Sequence, residues 1–336
     1  MGSTKINDLA KYLGVSKSTV SRALQDSYEI SNETKQKVLQ AANKLNYQPN
    51  PYASSLKKHV SKTIAVVVPQ FDNNYFVDVI KGIQSVAYPN EYHVLLYFTY
   101  EDPGKELAVF RHLITGRVDG IIISTVNEDG NNSHITDFIN SGVPVLFFDR
   151  ILQNIKGTKI TTNNTEITFN ATELLINKGC TRLCYINAFK HLSVGKKRLE
   201  GFLKAANKNK ANIKRYDIID FGNDCEENQK KICKLLQSKN KPNGIVSSDE
   251  DAAIKMYRVC KDLTIKIPDD IKIISFSNLS FADLLSPSLT TIEAPAFKMG
   301  ETAAQLLLTS LKNTKNKLQD EEFIIDSKII ERDSTS

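Results

Sequence analysis

Short apolar, β-branched runs recur between residues 63 and 276 with amphipathic stretches between them. This alternation constrains the fold more than any other feature of the chain. TIAVVVP (63–69), HVLLYF (93–98), GIIIS (120–124) and PVLFFD (144–149) make one series; RLCYI (182–186), YDIID (216–220), GIVSS (244–248) and IKIISF (271–276) make a second. Uninterrupted runs of this length fit strands covered on both faces, as parallel strands are. Helical stretches separate them. Phe76, Val79, Ile80, Ile83, Val86 and Ala87 form a stripe after the first run, and helices are expected near 104–115, 133–141, 165–178, 195–208, 226–238 and 250–262. Such βαβ alternation predicts an α/β fold with doubly wound parallel sheets, here in two similar lobes. The tail, TTIEAP (290–295), a helix over 296–311 and FIIDSKIIER (323–332), is expected to cross back between the lobes. In sheets of this kind ligands bind beyond the strand C-termini, so a cleft between the lobes is the expected site. No GxGxxG or Walker pattern is present, and no cofactor is expected.

The 62 residues before this body carry ten Lys and Arg against four Asp and Glu, which is the whole chain's net charge of +6; the other 274 residues balance at 34 against 34. A neutral body with a basic head points to a polyanionic partner.

The head is patterned as helices. Ile6, Leu9, Ala10 and Leu13 fall on one helical face, and Gly14 follows where a helix stops. Ser16 suits an N-cap for a second helix at about 16–25, with Val20, Ala23 and Leu24 inward and Lys17, Ser18, Ser21 and Arg22 outward. Val15 can plug the corner. Ser31 opens a third helix with Val38, Ala41, Ala42 and Leu45 as its stripe. This is a helix-turn-helix unit, slim enough at its second helix to enter a major groove. The next segment, NYQPNPYASSLKKHVSK (46–62), offers Asn50 as a cap, Pro51 at the first helical position, and only two turns of helix. A helix that short forms only when something holds it. Leu56 with Lys57 and Lys58 has the make-up of a minor-groove wedge. An ordinary interdomain linker fits this segment equally well.

KINDLAKYLGVSKSTVSRAL (5–24) followed by YQPNPYASSLKK (47–58) resembles the DNA-binding head and hinge helix of the lactose/galactose repressor (LacI/GalR) family, and the resemblance runs through nearly the whole chain. It implies a bacterial transcription regulator, most simply a repressor. Such a protein binds a palindromic double-stranded operator as a homodimer, has no enzymatic activity, and works in the cytoplasm on the nucleoid. The division it implies is a helix-turn-helix domain at 1–48, a hinge at 49–62 and a two-lobed, periplasmic-binding-protein-like effector domain at 63–336. Lobe one would hold about 63–162 and 292–320, and lobe two about 163–291 and 321–332. By the same resemblance Lys17, Ser18 and Arg22 read base edges, while Thr4, Ser16, Thr19, Ser21 and Asn50 face phosphates. Leu56 is the wedge, and Tyr52 and Ala53 of the hinge join the DNA-contacting set.

The effector residues carry over motif by motif. FDNNYF (71–76) supplies Asn73, Tyr75 and Phe76, with Asn74 where the family has proline. FDR (148–150) supplies Asp149. KKRLEGF (196–202) supplies Arg198, a rigid fork for hydroxyls or a carboxylate. SSDEDA (247–252) supplies Ser248 and Asp249. SFSNL (275–279) places Ser277 where the family often has a sugar-binding aspartate, so a carboxylate is expected to be missing there. Asp149 and Asp249 as helix caps, and Phe76 as core, are alternative readings. The implied effector is a sugar-like small molecule.

Other classes find little support. Residues 1–14 lack the apolar stretch of a secretory signal, and no apolar run is long enough for a bilayer, so neither export as a solute-binding protein nor a membrane partner is expected. The five cysteines have no metal spacing and read as reduced thiols. His93, His134 and His191 show no metal or triad spacing and read as surface residues. No nucleophile–base arrangement supports an enzyme.

Overall fold

The computed structural model describes residues 4–47, 60–71, 73–114, 118–222, 224–313 and 317–336. The chain divides into two compact units, Met1–Ser61 and Lys62–Ser336.

The first unit is three helices, α1 (Ile6–Leu13), α2 (Lys17–Leu24) and α3 (Asn32–Lys44). Gly14 ends α1 at φ 64°, in the left-handed region, and its N–H reaches back to Ala10 and Lys11. Two residues later Ser16 caps α2, its Oγ accepting from Thr19 N at 3.1 Å. Ser31 caps α3 in the same way, through Thr34 N at 3.3 Å. The core is Leu9, Ala10, Val20, Ala23, Val38, Ala41 and Ala42, with Val15 packed against its edge. Alanines dominate it, so the helices approach closely and the outward face of α2 stands clear.

The second unit holds two six-stranded sheets. Strands β1 (Thr63–Val68), β2 (His93–Phe98), β3 (Gly120–Ile123), β4 (Val145–Phe148), β5 (Lys159–Thr162) and β11 (Glu322–Ile325) form the first, in the order β2-β1-β3-β4-β5-β11, every pair parallel. Strands β6 (Arg182–Asn187), β7 (Arg215–Asp220), β8 (Gly244–Ser247), β9 (Lys272–Phe276), β10 (Thr290–Glu293) and β12 (Lys328–Ile330) form the second, in the order β7-β6-β8-β9-β10-β12, with β12 antiparallel. In each sheet the order reverses beside the first strand, β1 or β6. That is the switch point where a crevice opens at the strand C-termini.

Helices α4 (Asn74–Ala87), α5 (Pro103–Leu113), α6 (Ser133–Asn140) and α11 (Ala296–Lys312) cover the first sheet; α7 (Asn164–Asn177), α8 (Ser193–Lys208), α9 (Cys225–Gln237) and α10 (Glu250–Asp262) cover the second. Helices α4 and α11 touch through Gly82 and Gly300. A Cβ on Gly82 would stand 2.0 Å from the Phe297 carbonyl, and one on Gly300 would stand 2.0 Å from the Val79 carbonyl.

The structure adds to these expectations and corrects the lobe boundaries. HVLLYF and YDIID are edge strands and expose Leu95, Leu96, Tyr216 and Ile218. Strand β5, KITT, has too few apolar residues to stand out as a buried run, yet all four residues are buried. The last crossing falls between Ile325 and Lys328 and not at 320–321, because β11 pairs with β5 in the first sheet. Likewise β10 belongs wholly to the second sheet, so residues 292–293 leave lobe one. The crossings near 163 and 326 are tied together: Ser327 N donates to Asn163 Oδ1 at 2.9 Å.

Candidate functional site

In the head, α2 presents Lys17, Ser18 and Arg22 exposed, with Thr19 and Ser21 half-buried. The hydroxyls form a local network: Ser16 Oγ lies 2.7 Å from Ser18 Oγ and 2.8 Å from Thr19 Oγ1. No acid occupies the first turn of α2, so its positive N-terminal end is left uncompensated, as an approaching phosphate needs. Two expected contact residues are engaged within the protein. Arg22 pairs with Glu29 at 2.9 Å, and Thr4 Oγ1 donates to the Leu45 carbonyl at 2.8 Å. Asn50, Tyr52, Ala53 and Leu56 lie outside the described residues.

In the second unit a cavity of about 450 Å³ opens between the lobes. All eight expected effector residues line it: Asn73, Tyr75, Phe76 and Asp149 from the first lobe, and Arg198, Ser248, Asp249 and Ser277 from the second. Local structure delivers each of them. Asn73 caps α4, its Oδ1 accepting from Tyr75 N at 2.9 Å, which turns Tyr75 and Phe76 over the end of β1. Phe76 is both wall and core, 3% exposed and edge-on to Phe148. Asp149 follows β4 at φ 60° and receives Ser124 Oγ at 3.5 Å. It caps no helix. Burial pushes its carboxyl above the usual range against the pull of Arg150 and Arg198.

Arg198 is the most constrained member. Its Nε donates to Asn164 Oδ1 at 2.8 Å, an Nη donates to the Ser248 carbonyl at 2.7 Å, and the guanidinium lies 3.7 Å from the Phe276 ring centre. Ser248 is equally occupied, because its Oγ accepts from Ala188 N at 2.8 Å. Asp249 does stand at the N-cap of α10, but its side chain makes no cap bond. Burial, then repulsion from Asp251, raises its carboxyl.

Position 277 holds a serine with no carboxylate of its own, but another carboxylate stands beside it. Glu250, one residue beyond Asp249, reaches the same loop: its Oε2 accepts from Ser277 Oγ at 3.0 Å and from Asn278 N at 3.2 Å. Arg150, Phe189, Asp251 and Asn278 also line the cavity and were not singled out. Arg150 is fixed by a two-pronged pair with Glu101, at 2.6 and 2.9 Å. Its partner is 49 residues away in sequence, so no local pattern announces it.

At the cleft mouth the lobes are clasped directly. Glu128 of the first lobe accepts from Ser193 N at 2.5 Å and Ser193 Oγ at 2.9 Å, at the start of α8, and Asp129 pairs with Lys196 at 3.0 Å. His134 is not a surface residue: its ring meets buried Glu106 at 3.3 Å and Phe110 edge-on. Among the described residues no cluster of His, Cys, Asp and Glu could hold a metal ion, and no helix is long and apolar enough to cross a membrane.

Comparison with known proteins agrees with both parts of this geometry. Residues 5–50 match the bacterial regulatory proteins of the lacI family, and residues 172–335 match the periplasmic binding protein-like domain. The chain is 30% identical to a ribose operon repressor of Halalkalibacterium halodurans, over 99% of this chain and 97% of the relative. The chain belongs to the LacI family. Another relative, the HTH-type transcriptional regulator RegA of Clostridium saccharobutylicum, is 28% identical over 99% of each chain. The fold is that of a lac repressor dimer bound to operator and an anti-inducer (TM-score 0.85, 20% identity, 99% of each chain). It is also that of a LacI-family regulator from Enterococcus faecium with bound ribose (TM-score 0.71, 22% identity, 82% of this chain and 98% of that one). This LacI-family protein is thus a transcription regulator with a DNA-binding head and a ligand-binding body.

Proposed function

We propose that this protein is a repressor that binds a pseudo-palindromic operator as a homodimer, in the cytoplasm and on the nucleoid. A small hydroxylated effector, a sugar or sugar derivative, switches it from the cleft between its lobes. It acts by binding and not by turnover. The observation that carries this reading is the convergence of residues from both lobes on one cavity. A ligand that touches Tyr75 and Asp149 on one side and Arg198 and Asp249 on the other has a different affinity for each lobe angle. It therefore shifts the population of angles by its differential affinity and no more.

The proposed division is a head at 1–48, a hinge at 49–62 and an effector body at 63–336. In the head, Lys17, Ser18 and Arg22 read bases, and Thr4, Ser16, Thr19, Ser21 and Asn50 meet or orient toward the backbone. In the hinge, Leu56 enters the minor groove at a central pyrimidine–purine step, beside Tyr52 and Ala53. The edge strand β2 supports the dimer, since it leaves Leu95, Leu96 and the neighbouring aromatics Phe71 and Tyr100 exposed. The names of the relatives, a ribose operon repressor and a lac repressor dimer on its operator, support the same reading.

Selection of binding sites from random duplexes with the full-length protein tests the proposal. A two-fold symmetric consensus bound by two chains is expected. An asymmetric site bound by one chain overturns it. Leu56→Ala is expected to reduce bending in a gel phasing assay and to weaken specific binding more than non-specific binding.

A further inference from the structure

The cleft carries more negative charge than its arginines balance. Asp149, Asp249, Glu250 and Asp251 line it, against Arg150 and Arg198. Both terminal nitrogens of Arg150 are committed to Glu101. Arg198 donates to neutral acceptors, Asn164 Oδ1 and the Ser248 carbonyl, and its face is spent on Phe276. Asp251 is answered by Lys255, one turn along α10. Asp149 has only the Nε of Arg150, at 4.0 Å, and Asp249 and Glu250 face the cavity with no ion pair among the described residues.

Asp249 stands at a helix N-cap without bonding it. Glu250 is prepared for a ligand in a different way. The loop after β9 anchors its Oε2 through Ser277 Oγ and Asn278 N, while α10 carries its backbone, so two elements fix one carboxylate. Its Oε1 accepts no hydrogen bond among the described residues. Burial raises the carboxyls of Asp149, Asp249 and Glu250 alike, the mark of acids desolvated without enough positive charge nearby. A positive group on the ligand supplies what is missing.

We propose that Glu250 is a specificity-determining residue of the cleft. With Asp149 and Asp249 it selects a polyhydroxylated ligand bearing a protonated amine, an amino sugar by chemical class, over neutral and anionic ligands. This rests on the cleft being the effector site, as proposed above. The cavity suits a small sugar in size, and Tyr75 and Phe189 line it as aromatic walls for the apolar face of a ring. The second Nη of Arg198 is left for its hydroxyls, while Asn278 is held by Ala294. The ammonium falls to Glu250, as a charge-assisted hydrogen bond. A phosphate or carboxylate in the same place meets three acids in a low-dielectric site.

The test is calorimetric titration of the full-length protein, at a pH below the amine's pKa. The ligands are glucosamine, galactosamine and mannosamine, beside their parent hexoses, N-acetyl forms, 6-phosphates and aldonates. At least one hexosamine is expected to bind about tenfold or more tighter than its parent and N-acetyl forms. Glu250→Gln is expected to bring that ratio close to one, and Glu250→Asp, which keeps the charge, to retain part of it. Tighter binding of a neutral or anionic member, or an amine preference that survives Glu250→Gln, overturns the proposal and leaves the cleft as effector site. If nothing in the panel binds, the effector-site reading falls with it.

Discussion

Arg198→Ala separates structure from ligand recognition at the centre of the cleft. The substitution removes two hydrogen bonds from a cationic donor, each about 1.5–3 kcal/mol, and a desolvated contact with Phe276 of about 2 kcal/mol. Against this, the buried guanidinium no longer has to be dehydrated, which returns several kcal/mol. Water entering from the open side of the cavity also serves the abandoned Asn164 Oδ1 and Ser248 carbonyl. Asp149 and Asp249 lose their nearest unpaired positive charge. The net expectation is a loss of about 2–4 kcal/mol. For a unit of this size that lowers the melting temperature by roughly 3–8 °C. Arg198→Lys keeps the charge but cannot span both acceptors, so about half of that loss is expected. The assay pairs a thermal melt with operator binding measured well below the melting range, with and without effector. Operator affinity without effector should hold while the effector response disappears in both variants. A melting point unchanged by Arg198→Ala would refute the network, and an intact effector response would refute its role in recognition.

Further outcomes are expected in the head, at the contact of α4 with α11 and in the pH dependence of the fold. Arg22→Ala should relax base preference at one operator position by about 1–3 kcal/mol. Glu29→Ala, which frees Arg22 from a half-exposed pair, should tighten operator binding by up to about fivefold; equal weakening of all sequences by Arg22→Ala would make it a backbone contact. Gly82→Ala should destabilise the second unit by about 1–3 kcal/mol, because the new Cβ meets backbone of α11. Gly222→Ala has open space and should stay within about 0.5 kcal/mol in a denaturant melt. The acids Glu128, Asp149, Asp249 and Glu250 all titrate higher folded than unfolded, so the folded state binds more protons. Their contribution to stability is therefore complete below the ordinary carboxylate values of 3.8 and 4.5 and is lost as pH rises through the raised ones. Melting curves across this range should show a flatter pH dependence in Glu128→Gln and Glu250→Gln than in the wild type, and parallel curves would refute the assignment.

What the chain writes locally, its sequence determined by itself. The turn at Gly14, the caps at Ser16 and Ser31 and the stripe through Val20 and Ala23 depend on neighbours a few residues away, so their spacing sufficed. The covered β-branched runs of β1, β3, β4 and β8 declare themselves because both faces are buried. The eight cleft residues were legible through short motifs, most at the end of a strand or the start of a helix and one, around Arg198, within α8. Charges meeting across large separations were not legible. Glu250 joins Ser277 over 27 residues, Glu101 joins Arg150 over 49, and Glu128 joins Ser193 over 65. A carboxylate has no periodicity that names its partner, and its cost depends on a desolvation that exists only once two lobes close over it. The crossing at 163 was read from the sequence, but strand β5 and the last crossing near 326 escaped for a related reason. Their polar residues are buried only because strands distant in sequence cover them, so tertiary structure decides where the chain last changes lobes and what charge the cleft presents to a ligand.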